Sequence, residues 1–273
     1  MTIVVTGATG NVGAPLVRAL LDAGAKVRTV SRGDGPQGVP HVRADLSSPD
    51  GLRAAFDGAE ALFLLVSGAG AHVDAGALLA AGGFARVVLL SSQAAGTRPE
   101  SASHAPLRAI EAAVRQHAPQ WTILRPGGFH TNAFAWAESV RTTRTVAAPF
   151  GDVGLPSVDP ADIAGVAAAA LLDDGHAGRV YELTGPAAVT PRERAGAIAE
   201  ALGEPVRFVE QSVDEARAQL SRFMPEAVVE GTLAILGTPT AAERRISPDV
   251  ATVLGRPAGS FADWARRAVE AFR

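Results

Sequence analysis

The chain has no cysteine in its 273 residues, which excludes disulfides, thiol nucleophiles and thiolate metal sites. Lys26 is its single lysine and Tyr181 its single tyrosine, so a tyrosine acid assisted by a lysine four residues downstream cannot be built. Long apolar runs are missing too. The Ala/Leu-rich stretch from Ile163 to Leu172 falls well short of the ~20 residues that a membrane-spanning helix needs. The N-terminus shows neither the basic start nor the cleavage site of a signal peptide. A net charge of −3 and a pI near 6.1 give no electrostatic attraction for nucleic acid or an anionic membrane, and neither is expected as a partner. A cytoplasmic protein is the expectation. With 47% hydrophobic and 19% charged residues, the composition is that of a globular chain with a sizeable core.

What the chain does carry, at its very start, is Thr6-Gly7-Ala8-Thr9-Gly10-Asn11-Val12-Gly13. It follows the apolar run Ile3-Val4-Val5 and leads into Val12, Leu16, Val17, Leu20 and Leu21, which share one face at helical spacing. A strand, a glycine turn and a helix are the context in which a Gly-x-x-Gly-x-x-Gly string reads as dinucleotide binding. Gly7 permits the tight turn, Gly10 lets the backbone approach a pyrophosphate, and Gly13 lets helix and strand pack closely. The helix N-terminus then offers unpaired N–H groups and a positive dipole end to the phosphates. At the end of the second strand, where NAD-binding proteins place an acid for the ribose hydroxyls, stand Ser31 and Arg32, with Asp34 in the turn beyond. A hydroxyl and a guanidinium suit a 2′-phosphate. NADP is therefore the expected cofactor, with NADPH bound better than NADH.

Short apolar strands at 26–30, 41–44, 61–66 and 86–90 alternate with helical patterns near 49–56 and 75–81. A helix over 105–116 and a strand over 121–125 follow. This alternation calls for a doubly wound parallel α/β sheet of the Rossmann type. Phe150 to Val158 reads as loop with a short strand. Asp159 is positioned to cap a helix over 160–172, and Thr190 with Glu193 forms a capping box ahead of another. The expected organisation is a dinucleotide-binding body over 1–150 and a smaller mixed part over 151–273, interleaved with the sheet and binding the substrate.

Taken in order, T-G-A-T-G-N-V-G, V-S-R, A-D-L, W-T-I-L-R-P-G-G-F-H-T-N, V-D-P-A-D-I-A and Y-E-L-T-G-P resemble the NmrA-like branch of the atypical short-chain dehydrogenase/reductase superfamily, as found in actinobacteria. Members of that branch include NAD(P)H-dependent quinone and azo-dye reductases, and cofactor-sensing regulators without turnover. The resemblance implies that Gly7, Thr9, Gly10, Asn11 and Val12 line the pyrophosphate. It implies Asp45 and Leu46 at the adenine, and Val66 and Ser67 near the nicotinamide ribose. Phe129 and Asn132 would border the nicotinamide and substrate. Two positions depart from the pattern. Leu107 stands where relatives often have histidine, and His130 where they often have methionine.

Active short-chain dehydrogenases rely on the tyrosine–lysine pair that this chain lacks. In its place His104, Arg108 and Glu111 share one helix face. They follow Ser91 and Ser92 at about the distance of the missing pair, and Ser91 is itself a candidate at the cofactor. His104 can give a proton near neutral pH and Arg108 can hold a ribose hydroxyl or phosphate; a solvated helix face reads equally well from these residues. His130 competes as the acid and as a substrate contact. Tyr181 lies in an apolar strand. Asp159 and Asp162 sit where carboxylates cap a helix. Met224 and Trp264 fit core or substrate pocket equally. His41, His72, His117 and His176 lack metal-ligand spacing, and no Gly-x-Ser-x-Gly elbow is present. The expected function is hydride transfer from NADPH to a small quinone-like acceptor by a monomer or homodimer. A non-catalytic NADP sensor and a biosynthetic isomerase or cyclase are the alternatives.

Overall fold

In the computed structural model, which describes residues 1–66 and 73–273, nine strands fall in two sheets. The large sheet uses β1 (Thr2–Thr6), β2 (Lys26–Ser31), β3 (His41–Arg43), β4 (Ala61–Leu65), β5 (Arg86–Leu90), β6 (Gln120–Pro126) and β8 (Arg179–Leu183). Their order is β3-β2-β1-β4-β5-β6-β8, and every pairing is parallel. The order reverses between β1 and β4, the switch point above which doubly wound sheets bind dinucleotides.

Successive side chains of the central strands go to opposite faces. Ile3, Val5, Phe63, Val88 and Leu124 join Leu16, Val17 and Leu20 of the Gly13–Asp22 helix and Ile163, Val166 and Ala167 of the Pro160–Leu172 helix. Val4, Leu62, Leu64, Val87, Leu89 and Ile123 face the other way, onto Leu52, Leu78, Ile110 and Val114. The strands read as apolar runs because both faces are covered. The Pro160–Leu172 helix is itself buried on nearly every side, with the Asp249–Leu254 helix against it. Its Asp159 cap and the Thr190/Glu193 capping box both form. No helix among the described residues is long and apolar enough to cross a membrane.

The second sheet is a parallel pair, β7 (Thr145–Ala148) with β9 (Arg207–Glu210). The short strand expected within 150–158 is absent. Phe150 turns into a left-handed conformation (φ 57°), and the glycines and prolines that follow leave only single bridges, Leu155 to Val189 and Phe129 to Val158. The strand lies just upstream instead. Ahead of residue 150, β7 thus pairs with the C-terminal part, while 160–183 completes the large sheet. Trp264, Phe261, Phe272, Val140 and Ile198 form the core of the C-terminal part.

Candidate functional site

The turn after β1 is built by glycine geometry. Gly7 adopts φ 66°, and Gly10 N–H donates to Gly7 O at 3.0 Å. A Cβ on Gly13 would lie 2.0 Å from Gly7 O, so only glycine lets the helix sit this close. A Cβ on Gly10 would meet nothing but Gly7 O, at 3.3 Å. Thr6 anchors the turn to the neighbouring strand: its Oγ1 accepts from Leu65 N–H at 2.7 Å and shares its one proton between the carbonyls of Phe63 and Leu65. The Gly13–Asp22 helix begins with no side-chain cap at Val12, whereas Asp74, Ser92, Asp159, Thr190 and Ser212 cap later helices. Ala14 N–H already donates to Gly10 O at 3.0 Å and Pro15 has no N–H, which leaves the Gly13 amide without a partner within the helix, and Thr9, Gly10 and Asn11 are exposed around it. An open concave turn, an uncapped helix start and a glycine wall fit a pyrophosphate.

At the adenine side, Arg32 is exposed just past Ser31, with no hydrogen bond or ion pair of its own among the described residues. Its loop is fixed from below. His41 Nε2 donates to Gly33 O at 2.9 Å while Nδ1 accepts from Thr29 Oγ1, and Ser31 Oγ donates to the same Gly33 carbonyl. Asp45 accepts from the Ser47 amide and hydroxyl, which, with the Arg32 charge, hold its carboxyl below the usual range. Leu46 packs on the core edge, as does Val66 after β4. Ser67 and His72 lie outside the described residues.

Beyond β5, Ser91 Oγ donates to Glu111 Oε1 at 2.7 Å. Glu111 is buried and held by the bidentate fork of Arg125 (2.9 and 2.6 Å) and by Arg115. Burial opposes its charge, but hydrogen bonds from Arg125 and Ser91 and the charges of Arg125 and Arg115 outweigh it and keep the carboxyl below its usual range. Glu111 is thereby committed to an interior network. Arg108 is committed as well, donating to the carbonyls of Arg98 and Ser101. His104 shares its Nδ1 with the hydroxyls of Ser101 and Ser103. Burial, then the charges of Arg108 and Arg98, lower its pKa. The common helix face of these three therefore does not converge on one open point.

His130 differs most from its sequence reading. It is 1% exposed, its Nε2 donates to Gly259 O at 3.3 Å, and its Nδ1 accepts from Ser157 Oγ at 2.9 Å. Its ring stands edge-on to Phe261. Desolvation pushes its pKa down to about 4, so it packs as a neutral ring in the interior rather than lining the cleft. Its neighbours do the reaching: Asn11 Nδ2 donates to Thr131 Oγ1 at 3.2 Å, tying the glycine turn to the segment after β6. Phe129 packs beside the first core. Asn132 opens into a cavity of about 490 Å³. Trp136, Phe150, Leu220, Phe223 and Met224 give that cavity apolar walls, and Arg194 is its one charged lining residue among those described. Met224 thus belongs to the pocket, and Trp264 to the core. Tyr181 shares its hydroxyl with His176 at 2.9 Å. The parts played by Thr6, His41, Thr131 and Arg194 leave no local signal in the sequence, since each depends on contacts distant in the chain.

Residues 1–238 match the NmrA-like family. Over 282 residues, 99% of each chain, the protein is 36% identical to (4-alkanoyl-5-oxo-2,5-dihydrofuran-3-yl)methyl phosphate reductase of Streptomyces griseus. It is 30% identical to the NAD(P)H azoreductase of Xenophilus azovorans, again over 99% of each. An NADPH-dependent quinone oxidoreductase from Escherichia coli, solved with NADPH, shares the fold with a TM-score of 0.81 at 23% identity, covering 97% of this chain and 99% of that one.

Proposed function

The chain belongs to the NmrA-like family, and from that premise we propose that it is an NADPH-dependent reductase delivering hydride to a small conjugated acceptor in the cavity behind Asn132. The observation that carries this reading is the Asn11–Thr131 bond. It joins the phosphate-ready turn directly to the segment whose next residue lines a mostly apolar pocket. The relatives support the class of acceptor: an unsaturated lactone phosphate for the Streptomyces griseus enzyme, an azo compound for the Xenophilus azovorans one.

NADPH supplies the hydride when bound. The chain's own residues do the rest. The Gly13 amide that opens the Gly13–Asp22 helix, with the exposed turn around it, would hold the pyrophosphate, and Arg32, with its loop braced by His41, would hold the 2′-phosphate. Trp136, Phe150 and Leu220 keep water from the acceptor. Of the acid candidates, His130 has both nitrogens engaged, and Arg108 and Glu111 are occupied. His104 keeps Nε2 without a hydrogen-bond partner among the described residues, and stays neutral at pH 7, so it can only relay a proton taken from water.

Titration of NADPH and NADH, followed by turnover on a quinone, an azo dye and an unsaturated lactone, tests the reading. NADPH should bind more tightly. Arg32→Ala should weaken it about 10- to 100-fold, the equivalent of losing one charge-assisted hydrogen bond of roughly 1.5–3 kcal/mol. Equal affinity for the two cofactors would refute the role of Arg32. Tight binding with no oxidation by any acceptor class would refute the reductase.

A further inference from the structure

Resting on the reductase reading above, we propose that Arg194 is the anchor for an oxyanion on the acceptor, a carboxylate or phosphate monoester, so that the cavity selects acidic substrates. Arg194 sits on the Pro191–Leu202 helix and lines the cavity wall. Its Nε is fully buried and has no hydrogen-bond partner, the one buried side-chain polar atom among those described in that condition. Its only hydrogen bond among the described residues runs from Nη2 to the Leu155 carbonyl at 3.3 Å, and its guanidinium lies 5.7 Å from the Phe261 ring centre.

Among the described residues no carboxylate answers it. The described lining residues include no Asp or Glu, and the nearby acids Asp159 and Asp162 are paired with Arg267 and Arg256. Arg98 and Arg125, also turned inward, have their counter-charge in Glu243 and Glu111. A desolvated, unpaired cation is costly, and a buried polar group without a partner points to a functional role. Desolvation lowers its pKa only to about 10, so it remains charged at neutral pH. A planar guanidinium with unspent donors matches two oxygens of one oxyanion. Asn132 lines the same cavity, so an acceptor lies with its conjugated part toward the glycine turn and its acidic group toward Arg194.

Two measurements test this. The first is kcat/KM for matched acceptors, a naphthoquinone bearing a carboxylate against its methyl ester. The wild type should favour the acid by tenfold or more, mostly through KM. Arg194→Met should bring the ratio to about one, and Arg194→Lys should retain part of it. A wild-type ratio near one, or a ratio unchanged in Arg194→Met, overturns the proposal. The second needs no turnover: calorimetric binding of phenyl phosphate, benzoate and benzyl alcohol to the NADPH-loaded protein. Either acid binding at least tenfold tighter than the alcohol, and only with Arg194 or Lys at this position, supports the anchor even if no acceptor is reduced. The tighter of the two identifies the oxyanion. Equal binding of all three overturns it. Should Arg194→Met fail to fold, the wild-type and Arg194→Lys arms still decide.

Discussion

His130 shows how much a single side chain depends on what closes over it. In an unfolded chain its imidazole takes up a proton near pH 6.5, and in the fold only at about 4. Between these values the unfolded state holds more protons, so the contribution is complete above pH 6.5 and is lost as the pH falls toward 4. The loss amounts to about 3 kcal/mol at its limit, at 1.36 kcal/mol per pH unit. His130→Gln, which keeps a hydrogen-bonding side chain but does not titrate, should therefore show a shallower fall of Tm than the wild type between pH 6.5 and 4.5. Parallel acid limbs would show that the ring is not held neutral. Neither this burial nor that of Arg194 is legible in the local sequence. Phe-His-Thr after a strand reads as a cleft edge, and Arg-Glu-Arg at a helix start reads as a solvated face. What buries them is Gly259 and Phe261 for His130, and Leu155 and Phe261 for Arg194, all remote in sequence.

At the level of elements, the strand, turn and helix that open the chain were legible because their signals are local. Gly7, Gly10 and Gly13 nevertheless do different work, and substitution separates them. Gly13→Ala sets a methyl group against the Gly7 carbonyl, so the helix must retreat from the strand. Overpacking of this kind costs about 1–3 kcal/mol and should lower Tm and cofactor affinity together. A Cβ on Gly10 asks the Gly7 carbonyl to give by only a few tenths of an ångström, and Gly10 has no left-handed φ, so Gly10→Val should lower Tm less than Gly13→Ala yet weaken NADPH by more than tenfold. Thermal melts with NADPH titration distinguish the two, and normal binding by Gly10→Val would move the cofactor away from this turn. The strand β7 escaped a local reading for the opposite reason. Thr-Val-Ala-Ala is too short to announce a strand, and its partner β9 comes only after β8 has been laid down in the other sheet.

For the whole molecule, this threading means that residue 150 does not divide two independent units. The later segments are fastened back onto the first body by ion pairs, Glu243 with Arg98 and Asp174 with Arg86, and by the Pro160–Leu172 helix packed against Gly13–Asp22. A fragment of residues 1–150 lacks that helix and β8, and leaves Ile3, Val5 and Phe63 facing water on one side. It should bind a hydrophobic dye and melt without cooperativity. A cooperative fragment that still binds NADPH would mean that the first half is self-sufficient.

The order in which the two faces of the sheet are covered also matters while the chain is being made. Helices through His117 roof one face as soon as they emerge, but the other has only the Gly13–Asp22 helix until Leu172. At about 5–20 residues per second, a ribosome leaves that face half-covered for roughly three to ten seconds. For that interval the nascent chain presents a half-finished sheet to its surroundings, a natural landing place for a chaperone and the moment at which neighbouring chains on one messenger are most apt to stick together.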